Sequence, residues 1–242
     1  MVGVDEGWHI ARPNFYPAAI LDAFGHDARV GNASGTVHAE TACLLNAPHA
    51  TKGGAMFSTD PSCPNCMKNM IAAGIAALYI DHKGFEKYFH KKRMEDFENL
   101  TLPLARAAGM RVYKVFRKEE RGEEIVSPSH PALKTQDTEH FAACDKLRVY
   151  GATLENAPQA DDDHTKYTLT LEPLTRLLMT CAAQGLRPDP QSFQSSRLPT
   201  ARELVNFIGA GYDHMRILDT TTYRDMESVN AYQMLTDHAV LR

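Results

Sequence analysis

The chain has no long apolar run. Its longest, residues 71–80, contains Gly74 and leads straight into Asp81, well short of the ~20 apolar residues that span a bilayer. No membrane span is therefore expected. There is no basic surplus either. Net charge is −4, whereas a chain that grips a phosphate backbone needs a Lys or Arg near each neutralised phosphate. Residues 1–136 carry 16 Lys+Arg against 15 Asp+Glu, and residues 137–242 carry 10 against 15. Nucleic acid is accordingly an unlikely partner. The start, MVGVDEGWHIARPNF, lacks the basic and then apolar stretch of a secretory leader. Cysteine is scarce and odd in number: of five, two stand three apart, which suits a reduced cytoplasmic chain holding a metal better than a disulfide framework. What is present is ordinary for a globular protein of 242 residues, with 43% hydrophobic and 23% charged residues. That composition excludes a disordered chain, a collagen-like fibre and a small disulfide scaffold.

Along the chain, the apolar runs Ala18–Phe24 and ARVGN, separated by the turn Gly25-His26-Asp27, read as two short strands. HAETACLLNAP then has helical spacing through Ala39, Ala42, Cys43 and Leu45. AMFSTD reads as a buried strand. Pro61 and Ser62 open the helix CPNCMKNMIAAG, which Gly74 closes. The strand IAALYID, a charged helical region to about Ala108 and the strand MRVYKVF follow. A crossover of that length makes the two strands parallel neighbours in an α/β layer. The cluster His90-Lys91-Lys92-Arg93 reads as a solvated helix face, or as a contact for one phosphate of a small nucleotide.

Residues 119–136 are charged and then Pro-rich, the best linker stretch in the chain. The expected division is one domain over 1–126, a linker over 127–136 and a second domain over 137–242. The second domain is read as strand LRVYG, the acidic loop Asp161-Asp162-Asp163, helix LEPLTRLLMTCAAQG, helix TARELVNFIGAG, strand HMRILD and a last helix. Its Cys144 and Cys181 look like small core residues, and His164 looks solvent-facing. The halves also lie over one another. PSCPNCMKNMIAAGIAALYID from Pro61 overlays PTARELVNFIGAGYDHMRILD from Pro199, which implies an internal duplication. The second copy has no Cys where Cys63 and Cys66 stand.

The strongest chemical signal is His38-Ala39-Glu40 followed by Cys63-Pro64-Asn65-Cys66. A lone C-x-x-C suits a redox pair or a structural zinc as well, but a redox reading leaves His38 and Glu40 without a role. One imidazole and two thiolates make three ligands and keep the fourth tetrahedral position open, the arrangement of a catalytic zinc. Cys63 and Cys66 sit at a helix start, where the partial positive charge favours thiolate. Glu40, two residues past His38, reaches the open position without ligating and is placed to move a proton.

These residues resemble the cytidine deaminase superfamily, whose signature is H/C-x-E followed by P-C-x-x-C. The match covers roughly residues 18–116, with one departure: Ser62 is an extra residue between Pro61 and Cys63. The resemblance implies a three-layer α-β-α fold, here duplicated, with zinc on His38, Cys63 and Cys66 and Glu40 as catalytic acid and base. It also implies substrate contacts at Asn32, at the backbone amide of Ala39 and near Ser62. As a residue beside Gly31, Asn32 equally suits a turn. Asn65, Phe57 and Ser58 are further candidates to line the pocket.

The function implied is zinc-dependent hydrolytic deamination of a small free base, nucleoside or nucleotide of cytosine type, related to cytidine or deoxycytidylate deaminases. A homodimer is the expected assembly. The alternatives are a deaminase acting on a base within RNA or single-stranded DNA, and a zinc-stabilised interaction module without catalysis.

Overall fold

The structure, a computed structural model, describes residues 7–86, 91–127, 173–189, 193–195, 198–217 and 226–242. The chain opens with helix α1 (Ala18–Phe24), a hairpin of β1 (Arg29–Val30) and β2 (Ala33–Ser34), helix α2 (Ala39–Leu45) and strand β3 (Ala55–Ser58). Helix α3 (Pro64–Ala72) and strand β4 (Ala77–Asp81) follow, then α4 (Lys91–Asp96), a π-turn (Phe97–Thr101) and α5 (Leu102–Ala107). Strands β5 (Arg111–Phe116) and β6 (Arg121–Val126) complete a sheet in the order β3-β4-β5-β6. The later elements are α6 (Pro173–Gln184), β7 (Gln194–Ser195), α7 (Ala201–Gly209), β8 (Arg216–Ile217) and α8 (Met226–Asp237). The protein is α/β with a mixed sheet. Among the described residues no helix is long and apolar enough to cross a membrane.

β3, β4 and β5 are parallel, in the register Met56–Leu78–Val112, and β6 adds antiparallel at the edge. The parallel pairing expected for IAALYID and MRVYKVF is therefore present. Alternation then sorts the side chains by face. Met56, Leu78 and Val112 are buried, whereas Phe57, Tyr79 and Tyr113 stack in a row on the other face with ring centroids 4.8 Å apart. The buried row enters one contiguous cluster with Leu44 of α2, Met67 and Met70 of α3, and Leu177, Val205 and Phe207 of α6 and α7. Side chains from both expected domains thus share a single core.

Three local readings change. Ala18–Phe24 is a helix, not a strand. Pro17 accepts from the amides of Ile20 and Leu21, and Gly25 ends the turn at φ 78°. A Pro just before an Ala-rich run and a Gly just after it are helix punctuation, and these outweighed the apolar look of the run. The linker stretch also begins later than residue 119, because Arg121–Val126 forms β6, pairing Tyr113 with Glu124 and Phe116 with Arg121. Its remainder from 128 on lies outside the described residues, as do LRVYG, Asp161-Asp162-Asp163, Cys144 and His164. Finally, α3 opens one residue later than the expected CPNCMKNMIAAG: Cys63 is its N-cap and Pro64 its first helical residue.

The C-terminal elements repeat an earlier order. Helix, strand, helix, strand occurs as α2-β3-α3-β4 and again as α6-β7-α7-β8, with the two strands parallel in each case. Met56 pairs with Leu78, and Gln194 with Arg216. The overlay that sets Pro61 on Pro199 also sets Met56 on Gln194 and Leu78 on Arg216.

Candidate metal centre

Two helix starts meet here. His38 is the N-cap of α2, held extended at φ −67° and ψ 149°, and Cys63 is the N-cap of α3. The short α/β crossovers that place α2 and α3 side by side bring both N-termini to one point. Cys66 follows in the first turn of α3, and its backbone amide donates to the Cys63 sulfur at 3.4 Å. The ring nitrogen Nδ1 of His38 lies 3.6 Å from Cys63 Sγ and 3.4 Å from Cys66 Sγ. All three donor atoms fall within 4.8 Å of one another. A tetrahedral zinc with bonds of about 2.0–2.3 Å needs ligand–ligand edges of roughly 3.5–3.8 Å. The observed spacing fits, so the group can hold a metal ion and is compatible with zinc. Cys63 and Cys66 are free thiols, the state in which they can ligate a metal.

The electrostatics separate the two sulfurs. The Cys63 thiol is lowered to about 4, chiefly because the Cys66 side chain hydrogen-bonds its thiolate, with His38 adding to the effect against the cost of burial. Cys66 is pushed well above its usual value by the same pairing and by burial. The hydrogen bond to Cys63 raises His38. One negative charge is thereby held beside His38, and a divalent cation would take the place of the protons left on the donor atoms.

Behind the donors stands a pair that the sequence reading missed. Asn69 Nδ2 donates to Thr41 Oγ1 at 3.0 Å, and that hydroxyl lies 3.7 Å from Cys66 Sγ. All three side chains are buried. Thr41 sits three residues after His38, and Asn69 three after Cys66, so each shares a helix face with a ligand. That spacing was the available signal.

Two cavities flank the cluster. One, of about 310 Å3, is lined by Glu40, Ala39, Phe57 and Ser58 together with His38 and Cys63. Arg12, Asn14 and Arg93 also face it; Arg93 belongs to the basic cluster, whose His90 lies outside the described residues. The Ala39 amide donates to Asn14 Oδ1 at 2.7 Å, so a carboxamide oxygen already occupies the donor that the resemblance offers to a base carbonyl. Asn32 and Asn65 line the other cavity and not this one. Ser62 lines neither. It is 1% exposed, with a hydroxyl that has no hydrogen-bond partner among the described residues, while its carbonyl accepts from Thr101 at 3.2 Å. The candidate substrate contacts thus divide: Ala39 shares a cavity with Glu40, and Asn32 does not.

No protein-family model, curated protein or solved structure matches the chain. The chemistry has to be argued from the site. A three-donor N/S/S set, of which His38 and Cys63 share a cavity with a carboxylate that is not among the donors and with two arginines, has the groups to hold a metal, carry a proton and meet an anion.

Proposed function

We propose that the chain is a zinc-dependent hydrolytic deaminase of a small nucleobase compound, most simply a cytosine nucleotide. The observation that carries this reading is the convergence of His38, Cys63 and Cys66 on one point, with His38 and Cys63 at the wall of a cavity that Glu40 also lines. Zinc bound by these three residues would supply its usual chemistry, lowering the pKa of a water from 15.7 to about 7. The chain's own residues do the rest. Glu40 would take one proton from the attacking water and pass it to the ring nitrogen as the oxygen bonds to the amine-bearing carbon. It would then move the second, hydroxyl proton to the amine, so that the C–N bond breaks, ammonia leaves and the carbonyl forms. Arg12 and Arg93 line the same cavity and suit a substrate phosphate. A substrate carbonyl that meets the Ala39 amide must displace Asn14, so Asn14 acts as a stand-in that leaves when substrate enters.

The finer fold reading belongs with this proposal. We read the C-terminal elements as a second copy of the three-layer deaminase-like unit, with Ala201 and Leu204 at the positions of Cys63 and Cys66 and hence no metal. The repeated element order and strand register support it. A cytoplasmic enzyme working as a homodimer is the corresponding setting. The acidic net charge favours a small substrate over RNA or single-stranded DNA. A purely structural metal site would give Glu40 no task.

The test is ammonia release from zinc-loaded protein across cytosine, adenine and guanine compounds, each as base, nucleoside and monophosphate. Glu40→Gln should retain its zinc by atomic absorption and lose activity by about 10²–10⁴-fold. Release that persists undiminished in Glu40→Gln would sink the assignment, as would no release from any compound by fully zinc-loaded protein.

A further inference from the structure

The second cavity, of about 410 Å3, shares only His38 and Cys63 with the one that holds Glu40. That volume is ample for a small ligand. Its wall is built from distant parts of the sequence: Asn32 from the β1–β2 hairpin, Lys68 from α3, Thr175 from α6, and Arg202 and Asn206 from α7. No Asp or Glu lines it. Lys68 and Arg202 therefore bring two positive charges with no carboxylate in the wall to balance them, and neither has an ion-pair partner among the described residues. Arg202 commits one guanidinium nitrogen to the carbonyl of Thr36 at 3.0 Å and has other donors left for a ligand. If a divalent cation balances the two thiolates, it leaves these charges uncompensated.

A second observation is independent of charge. Asn206 is 3% exposed, yet it lines the cavity and its carboxamide has no hydrogen-bond partner among the described residues. With no such partner and a place in the cavity lining, that carboxamide is available to bond a ligand atom there. Guanidinium, ammonium and carboxamide donors around one space suit an anion with several oxygens better than a carboxylate with two.

We propose that this cavity binds a phosphoryl group, charged against Lys68 and Arg202 and hydrogen-bonded by Asn206. It is separate from the cavity assigned to the reacting base and does not rest on the reaction assigned to Glu40. Because α6 and α7 supply much of its wall, the C-terminal part of the chain contributes directly to the surroundings of the metal centre.

The probe is inorganic phosphate on the full-length, zinc-loaded protein, followed by thermal unfolding against sodium chloride of equal ionic strength. At a hundred times its dissociation constant, phosphate should raise the melting temperature by about 5–10 °C. Lys68→Gln and Asn206→Leu should each remove most of that rise. Lys68 is half-buried and lies on the outer part of α3, so its variant decides the matter if Asn206→Leu fails to fold. No rise above the chloride control overturns the proposal, and so does a full rise in Lys68→Gln. Displacement of phosphate by a nucleoside 5′-monophosphate, but not by the nucleoside, would identify a nucleotide as the bearer. Displacement by neither would identify a free phosphorylated ligand. The readout is binding alone, so a failure of deamination leaves this result standing.

Discussion

At the scale of single residues, the order of the ligands is set by what stands behind them. The Cys66 sulfur is buried, and within reach of it lies the Thr41 hydroxyl, which Asn69 orients by donating to its oxygen. With that lone pair engaged, the Thr41 hydrogen is free to point at a thiolate. Thr41→Val keeps the shape and removes the hydroxyl. It should weaken zinc affinity by about 10–100-fold in a chelator competition while leaving far-UV circular dichroism unchanged. An unchanged affinity would show that the chain is packing alone. The cluster of three candidate donors was legible in the sequence because His, Cys and Cys carry their chemistry in their identity, and spacing at helix starts did the rest. Thr41 and Asn69 have no such signature. Asn14 was missed for another reason: its hydrogen bond to the Ala39 amide joins residues far apart in sequence, and no local pattern announces it. Asn32 shows the converse, a residue that shares a cavity with the three candidate donors but not with Glu40.

Among the elements, α7 shows how one buried carboxylate ties two helices together. Thr200 caps α7 and Glu203 returns the bond, with its Oε2 accepting from the Thr200 amide at 2.8 Å and Thr200 Oγ1 accepting from the Glu203 amide at 3.3 Å. The other oxygen, Oε1, accepts from the amide of Leu174 at 2.6 Å, at the start of α6. Glu203 is 2% exposed. Glu203→Ala therefore leaves two backbone amides buried without a partner, at a cost of roughly 2–4 kcal/mol. The melting temperature should fall on the order of 10 °C, and a fall within error of zero would contradict the role given to it here. The T-A-R-E spacing made this capping box readable from sequence, though its bond to α6 was not. The opposite happened at α1, where Pro17 and Gly25 gave the correct punctuation and the apolar run distracted from it. Short elements with one buried residue, such as Ile20 here, carry too little periodicity to decide between helix and strand.

For the whole molecule, the question is whether the two parts of the chain stand alone. Gly31, at φ 56°, brings the β1–β2 hairpin so close to α7 and α8 that an added Cβ would meet the Glu227 carbonyl at 2.7 Å and the Ala201 side chain at 3.3 Å. Arg202 reaches back to Thr36, and the Thr51 amide donates to Ala182 at 3.0 Å. Around these contacts the core runs unbroken from Leu44 and Met70 to Leu177 and Phe207. None of this could be read from sequence, since each contact crosses more than a hundred residues and either part is long enough for a core of its own. A chain cut after Gln136 would expose the faces of α2 and α3 that α6 and α7 cover. It should be insoluble or bind hydrophobic dyes, whereas the full chain should unfold in one transition. A zinc ion held by His38, Cys63 and Cys66 would join the start of α2 to the start of α3 inside that same core, so chelation of the zinc-loaded protein should lower the single melting temperature without splitting the curve. Two transitions, of which chelation moves only one, would mean that the parts fold independently. In that case the cavity between Lys68 and Arg202 would be a meeting of two domains and not a feature of one core.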